Sequence, residues 1–503
     1  MASPRIRASK LHQARHVSTL YLSNPRVIIV NLTLTMIPFI GIHPKECQVR
    51  GGLGIEGDDM TIFNVSTNTQ LASALTKAVG GDTIALAAGK YSMTINGRRP
   101  SSSVTITSQS LTNPAQLTWL KVDNSSNFRF KSIDIGRALT STETISSATM
   151  AKISLSANIT FDTVRVRGSL DGNPANDGVG LAISNSTGVK VINSDFQQLF
   201  RGLVLSGVED AQVLNNKFHD IRSDGIDGVS VRRVRIDGNT FTNFYKISGD
   251  HADAIQFWTT GTTRATTDVV IANNVVMQGK GGSIQGIFMR DELGTLPFQR
   301  ITIENNLIYE AGMPNGIAVM GGKDIVIRRN TAVSPNDDAT RILIRTESVA
   351  GATIEKNVAD QYMLGGTNLT KIDNLTLANN PVASTLTSLN LDAAATISGL
   401  ILSGYGYQIP STTTSSMTST STTTQTSASV EKIAVASTVE DTALVTTSAP
   451  TYPSFTVDGL YTGTFSSSGW RTQSVEPQPV TAVQTSTYYG GNAFRSSYQL
   501  FHA

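Results

Sequence analysis

VRIDGNTF (234–241), ITIENNLI (301–308) and IVIRRNTA (325–332) are copies of one pattern, apolar-x-apolar-x-x-Asn-x-apolar, and that repetition decides the fold. VIANNVV (270–276), VLNNKF (213–218) and ATIEKNVA (352–359) carry it too. The shared asparagine falls at Asn216, Asn239, Asn274, Asn306, Asn330 and Asn357, in steps of 23, 35, 32, 24 and 27 residues. Weaker copies stand upstream at 189–196, 159–166 and 128–135. Within each copy, alternation sends Ile, Val and Phe to one face and polar residues to the other. Stacked coils put equivalent residues roughly 4.8 Å apart, close enough for the asparagines to form an amide ladder in the turn.

A second strand follows each copy, marked by a small residue before an apolar pair: DGVGLAI (177–183), RGLVL (201–205), DGIDGV (224–229), DAIQF (253–257), QGIFM (285–289) and NGIAV (315–319). Two or three short strands per coil of about 22 to 24 residues match a β-solenoid and no helical repeat. The expected fold is all-β, a right-handed parallel β-helix over 60–405 with a short N-terminal capping helix. That helix is signalled by Thr67 and Gln70 at capping-box spacing, by Leu71, Leu75 and Ala78 on one face, and by Gly80-Gly81 at its end. It covers the open end of the solenoid.

Composition fits this reading. Charged residues are 16% of the 503, below the roughly 25% of average soluble proteins, and Gly, Ser, Thr and Asn carry the polar load. A formal net charge of +2 supplies no field that would direct the chain to nucleic acid or a membrane, and neither partner is expected. The single cysteine, Cys47, allows no internal disulfide and no cysteine-based metal site. The apolar stretch 27–41 is short and broken by Asn31, Thr33 and Pro38, and no A-x-A-like cleavage site follows it. Residues 1–59 read as a disordered extension, 406–450 as a Ser/Thr-rich linker, and 451–503 as a poorly ordered tail. A monomer is expected, at the cell surface or outside the cell, where such folds meet their polymers.

Coil length locates the chemistry. Phe218 to Gly225 is 7 residues and Ile308 to Gly316 is 8, but Phe241 to Ala254 is 13. The return steps Ile255 to Val269 and Ile287 to Ile301 are each 14, against 8 in ordinary coils. Insertions in adjacent coils build the walls of a groove. These loops hold Tyr245, Lys246, Asp250, His251, Asp253, Gln256 and Trp258, then Lys280, Arg290, Asp291 and Glu292. Arg345 follows in the same outward column two coils beyond Arg290.

Arginines present planar donors to carboxylates and an exposed Trp offers a stacking face, so the collection suits an acidic, uronate-containing polysaccharide. β-Elimination needs a neutralised carboxylate, a base for the C5 proton and an acid for the leaving O4. Arg290 or Arg345 can neutralise; His251, Lys246 or Tyr245 can act as base or acid. Gln256, Trp258, Arg345 and Lys280 are the candidate substrate contacts. C5-epimerisation uses the same first half. Asp250, Asp253, Asp291 and Glu292 are hard oxygen ligands of the kind Ca²⁺ takes. Hydrolysis through two of Asp227, Asp253 and Asp291, and glycan binding without catalysis, are the competing readings.

QLASALTKAVGGDTIALAAGKY (70–91) resembles the opening of the pectate lyase-like superfamily of right-handed parallel β-helix proteins, including alginate lyases and chondroitinase B-like lyases. GDHADAIQF (249–257) is similar to the Asp-Pro-His-Asp motif of mannuronan C5-epimerases, with the proline absent and the second aspartate shifted by one. That resemblance implies proton transfer by His251. The superfamily's lyases, epimerases, hydrolases and adhesins share the fold, so it implies fold more strongly than activity.

Overall fold

The computed structural model describes residues 60–335, 340–377 and 400–410. The expectations for 1–59 and for everything after 410 lie outside these residues. Among the described residues one helix, Asn68–Lys77, precedes a right-handed parallel β-helix, and the 31 strands are joined by parallel pairing from coil to coil. The helix forms where its cap signals stand: Thr67 Oγ1 accepts from the Gln70 N–H at 3.1 Å, while Gln70 Oε1 accepts from the Ser66 N–H at 2.7 Å. Its Leu71 and Ala74 are buried against the first coil, and no described helix is long and apolar enough to cross a membrane.

Each full coil contributes a strand to each of three sheets. The second sheet carries the repeated apolar-x-apolar pattern, as Val234, Val269, Ile301 and Ile325 stack in register. The strand after each asparagine forms the third sheet, where Phe196, Phe218 and Phe241 stack inside the coil with centroids 4.6 and 5.0 Å apart. The strands with a small residue before an apolar pair form the first sheet, with Leu203, Ile226, Ile255, Ile287, Ile317 and Ile344 in one inward row. Inward rows from all three sheets make one continuous core.

The asparagine ladder is complete. Asn216 Nδ2 donates to Asn239 Oδ1, Asn239 to Asn274, Asn274 to Asn306 and Asn306 to Asn330, each at 2.9 Å; Asn330 donates to Asn357 at 3.0 Å. It ends on Asn374 at 2.9 Å, a rung that the sequence pattern missed. The residue before each rung is left-handed, from Asn215 (φ 56°) and Gly238 (φ 68°) to Lys356 (φ 51°). Asn and Gly tolerate that conformation best, which explains the three N-N pairs and the single G-N pair among the rungs. Further toward the N-terminus, the turn between the first and second sheets carries a serine version: the Ser125 N–H donates to Ser156 Oγ, and the Ser156 N–H to Ser186 Oγ.

The expected domain end at 405 falls inside a packed segment. Leu400 and Tyr407 cover Val275, Met277, Leu307, Tyr309, Val333 and Val358 on the outer face of the third sheet. Gly406 fits only without a side chain, since a Cβ there would stand 2.2 Å from Thr331 Oγ1.

Candidate functional site

The residue just before the small residue of each first-sheet strand turns its side chain away from the apolar core. Successive coils place Arg201, Asp224, Asp253, Gln285 and Asn315 at this position. The small residue is what permits it. A Cβ on Gly225 would lie 2.6 Å from the Ala254 carbonyl and 2.8 Å from the Phe241 ring; on Gly286 it would lie 2.3 Å from the Gly316 carbonyl. A second outward row, three residues on, runs Val204, Asp227, Gln256, Phe288, Ala318 and Arg345.

The two rows gather three carboxyls. Arg201 lies between two of them, its Nε 3.3 Å from Asp224 Oδ2 and its Nη1 3.2 Å from Asp227 Oδ2. Asp224 Oδ1 accepts the Asp253 N–H at 3.1 Å, tying one coil to the next. Asp253 Oδ2 accepts from His251 Nδ1 and from Gln256 Nε2, each at 2.9 Å. All three carboxyls are buried, Asp227 and Asp253 with no exposed surface, whereas the His251 side chain is 53% exposed.

Burial opposes ionisation of all three acids. It raises Asp224 against the pull of Arg201, and Asp227 goes well above the usual carboxylate range because its two acidic neighbours add to the effect. Burial pushes Asp253 up to about 7, against the hydrogen bond from His251. The Asp253 hydrogen bond in turn raises His251, while Lys246 nearby lowers it.

The long loop 243–252 is pinned over the cluster. Asp250 is held by Arg222 through Nε at 2.8 Å and Nη2 at 3.1 Å, and it also accepts the Ile247 N–H at 3.1 Å. Arg222 and Arg201 lie over the Phe200 ring at 5.1 and 5.3 Å. Tyr245 is tied by its N–H to the Ile221 carbonyl at 2.7 Å. Lys246 Nζ reaches Ser283 Oγ at 3.4 Å and sits near Met313 Sδ at 3.9 Å. The Phe288 ring meets the His251 ring edge-on at 5.3 Å.

His251, Asp253 and Gln256 thus share one place, with Lys246 near enough to act on His251 by its charge. The others are more dispersed. Arg290 is exposed at its strand end, in register with Met320 and then Glu347. Arg345 pairs with Ala318 and belongs to the Phe288 row, not the Arg290 row, so the expected column of arginines is offset by two residues; it also bonds Glu347 at 2.6 Å. Trp258 is half-buried beside the end of that strand, and Lys280 is exposed in its glycine turn. The four proposed Ca²⁺ ligands do not converge. Asp250 serves Arg222, and Asp253 serves His251 and Gln256. Asp291 accepts from Thr259 Oγ1 and the Gly294 and Leu296 N–H groups at 2.8–3.0 Å, and Glu292 accepts from Thr260 Oγ1. Among the described residues no group of three His, Cys, Asp or Glu side chains is arranged to hold a metal ion.

Arg201, Asp224, Gln285 and Asn315 escaped the sequence reading, although their signal is simple. They are the first letters of RGLVL, DGIDGV, QGIFM and NGIAV, the residue in front of each small one.

A family model described as "Right handed beta helix region" matches residues 95–266 and 156–382. Among solved structures, similarity extends to an alginate lyase from Paenibacillus sp. str. FPU-7 (13% identity, 61% of this chain and 99% of that one, TM-score 0.41). It also extends to the A-module of a mannuronan C-5 epimerase from Azotobacter vinelandii (16%, 62% and 92%, 0.44) and to a surface adhesin of Streptococcus pneumoniae (15%, 61% and 88%, 0.35). No curated protein matches the sequence. The two matched stretches together span 95–382, more than half of the chain, with the three-sheet coil and asparagine ladder inside them, and the chain belongs to the right-handed β-helix family.

Proposed function

We propose that the chain is a carbohydrate-active enzyme on an acidic polysaccharide, transferring a proton at His251 by β-elimination or by C5-epimerisation. One observation carries this reading: within a cluster of buried acids, His251 is the member that reaches solvent, and Asp253 stands directly behind it. A buried carboxylate on Nδ1 fixes the ring and stabilises its protonated form. In elimination, the C5 proton of a uronate passes to His251 Nε2 and the C4–O4 bond breaks. A C4=C5 double bond forms, and O4 leaves with a proton. In epimerisation the proton returns to C5 from the opposite face.

The substrate carboxylate needs a cation, and Arg290 is exposed at the end of its strand with no ion pair among the described residues. Lys246, in the same loop as His251, is the candidate donor to O4. At rest the Gln285 amide lies on His251 Nε2, so a substrate displaces that amide to reach the ring. Catalytic hydrogen bonds commonly form only in the complex.

Incubation with alginate, pectate and glucuronan tests the reading. Ultraviolet absorbance of unsaturated ends marks elimination, and altered anomeric proton signals without chain cleavage mark epimerisation. New reducing ends without absorbance would select hydrolysis through the Asp224, Asp227 and Asp253 carboxyls instead. Binding with no chemical change, insensitive to His251→Ala, would select a glycan-binding surface and overturn the enzymatic reading.

A further inference from the structure

On its side facing away from Asp253, His251 meets one amide, which in turn meets a second, and neither has a titratable group of its own. Gln285 Nε2 donates to His251 Nε2, and Gln285 Oε1 accepts from Asn315 Nδ2. Gln285 is 1% exposed, and Asp253, Gln285 and Asn315 stand at equivalent positions of successive coils. With the Gln285 NH₂ group on Nε2, that nitrogen can only accept, which leaves the proton of a neutral ring on Nδ1, toward Asp253 Oδ2. One atom is left over: Asn315 Oδ1 is buried and without a partner.

We propose that Gln285 and Asn315 form a reversible amide relay, which holds neutral His251 with its proton on Nδ1 and turns over when the ring gains a second proton. A proton on Nε2 would face the Gln285 NH₂ group, donor against donor. Rotating the Gln285 amide turns Oε1 to the ring, and its NH₂ then faces Asn315. Rotating Asn315 in turn gives Oδ1, the atom now without a partner, a donor. No heavy atom moves beyond these two amide rotations, and each hydrogen bond is re-formed in the opposite direction. The other groups facing His251 are Asp253 and Asp224, which favour the charged ring, Lys246, which opposes it, and the uncharged Phe288 edge. Tautomer control is therefore left to the amides and Asp253. The relay rests on the proton-transfer reading of His251 only for its consequence in catalysis.

The chain has six histidines, so ¹⁵N-histidine labelling of the full-length protein resolves the ring nitrogens, with His251→Ala assigning the signal. The expected result is a neutral His251 carrying its proton on Nδ1, the tautomer disfavoured in free histidine. Gln285→Glu supplies a permanent acceptor to Nε2–H and should raise the His251 titration midpoint by about one pH unit or more. Asn315→Asp should raise it as well, by holding the reversed Gln285. In Asn315→Asp combined with Gln285→Leu most of that rise should vanish, because a through-space charge effect would persist and a relay would not. A neutral ring protonated on Nε2 would overturn the relay, as would an unchanged midpoint in both single variants or a rise that survives in the double variant. If the polymer assays are blank while these shifts appear, the relay stands and the functional reading fails.

Discussion

His251 and Asp253 are two residues apart in sequence, and the imidazole Nδ1 folds back to lie 2.9 Å from Asp253 Oδ2. The buried Ala252 between them anchors the turn in the core, so an exposed ring is set on a fully buried carboxyl. Asp253→Asn preserves the shape and removes the charge. His251 loses its main stabilising partner, so its titration midpoint should fall relative to the wild type. Turnover of the responsive polymer should drop by about 10²–10⁴-fold, the range of a general base or acid. Circular dichroism and the thermal midpoint check that the coil survives; activity within a few fold of wild type would remove Asp253 from the chemistry.

Asn274 sits mid-ladder. Its Nδ2 donates to Asn306 Oδ1 and to the Ile236 carbonyl, and its Oδ1 accepts both the N–H and the side chain of Asn239. Asn274→Ala leaves several buried groups unpaired at once, and each such group costs about 1–3 kcal/mol. A loss of about 3 kcal/mol or more is expected in urea unfolding, with polymer binding in the groove unaffected at low denaturant. Asn274→Asp should not rescue it, because a carboxylate cannot donate to the Ile236 carbonyl.

That ladder shows why the scaffold was legible. Six of its rungs repeat in sequence because one geometric demand, an amide after a left-handed residue, recurs in each coil from Asn216 to Asn357. Asn374 was missed because Leu375–Thr376 after it is a short, half-exposed strand with too little apolar pattern to mark a coil. The site was only partly legible. Loop length located His251, Asp253, Gln256 and Lys246, since an insertion is visible as a count. Register was not visible: a two-residue offset separates Arg345 from Arg290, because coil lengths vary between strands. Asp224 and Gln285 were hidden for another reason. Alternation assigns faces by parity, but at Gly225 and Gly286 the backbone crowds the next coil, and the residue before the glycine turns away from the core.

His219 makes a pH-dependent contribution away from the groove. Its Nδ1 lies 2.7 Å from Asp220 and its Nε2 3.1 Å from Asp195, on the third sheet. Burial lowers its pKa, but the two carboxylates outweigh that and raise it to about 9. A histidine raised on folding stabilises fully below its unfolded value of about 6.5, and that stability is lost as pH rises toward 9. His219→Gln should therefore cost on the order of 2 kcal/mol at about pH 6 and little at about pH 10. Thermal midpoints of both proteins across that range check it; a constant difference would mean that packing, not charge, is what His219 supplies.

Glu310 gives the opposite sign. It is 1% exposed, and neither carboxyl oxygen has a hydrogen-bond partner of good geometry; the Ile284 N–H and the Lys246 ammonium are the polar groups that pull against its burial. Burial nonetheless raises its pKa well above the ordinary value. A carboxyl raised on folding binds its proton more tightly in the folded chain. The unfolded state alone gains from ionisation as pH rises above about 4.3, so Glu310 destabilises the fold increasingly toward neutrality. Glu310→Gln has no proton to lose. Its thermal midpoint should exceed that of the wild type at about pH 7, and the gap should close near pH 4, where both side chains are neutral. A gap that instead widens on acidification would show that Glu310 is ionised in the fold and paired with Lys246.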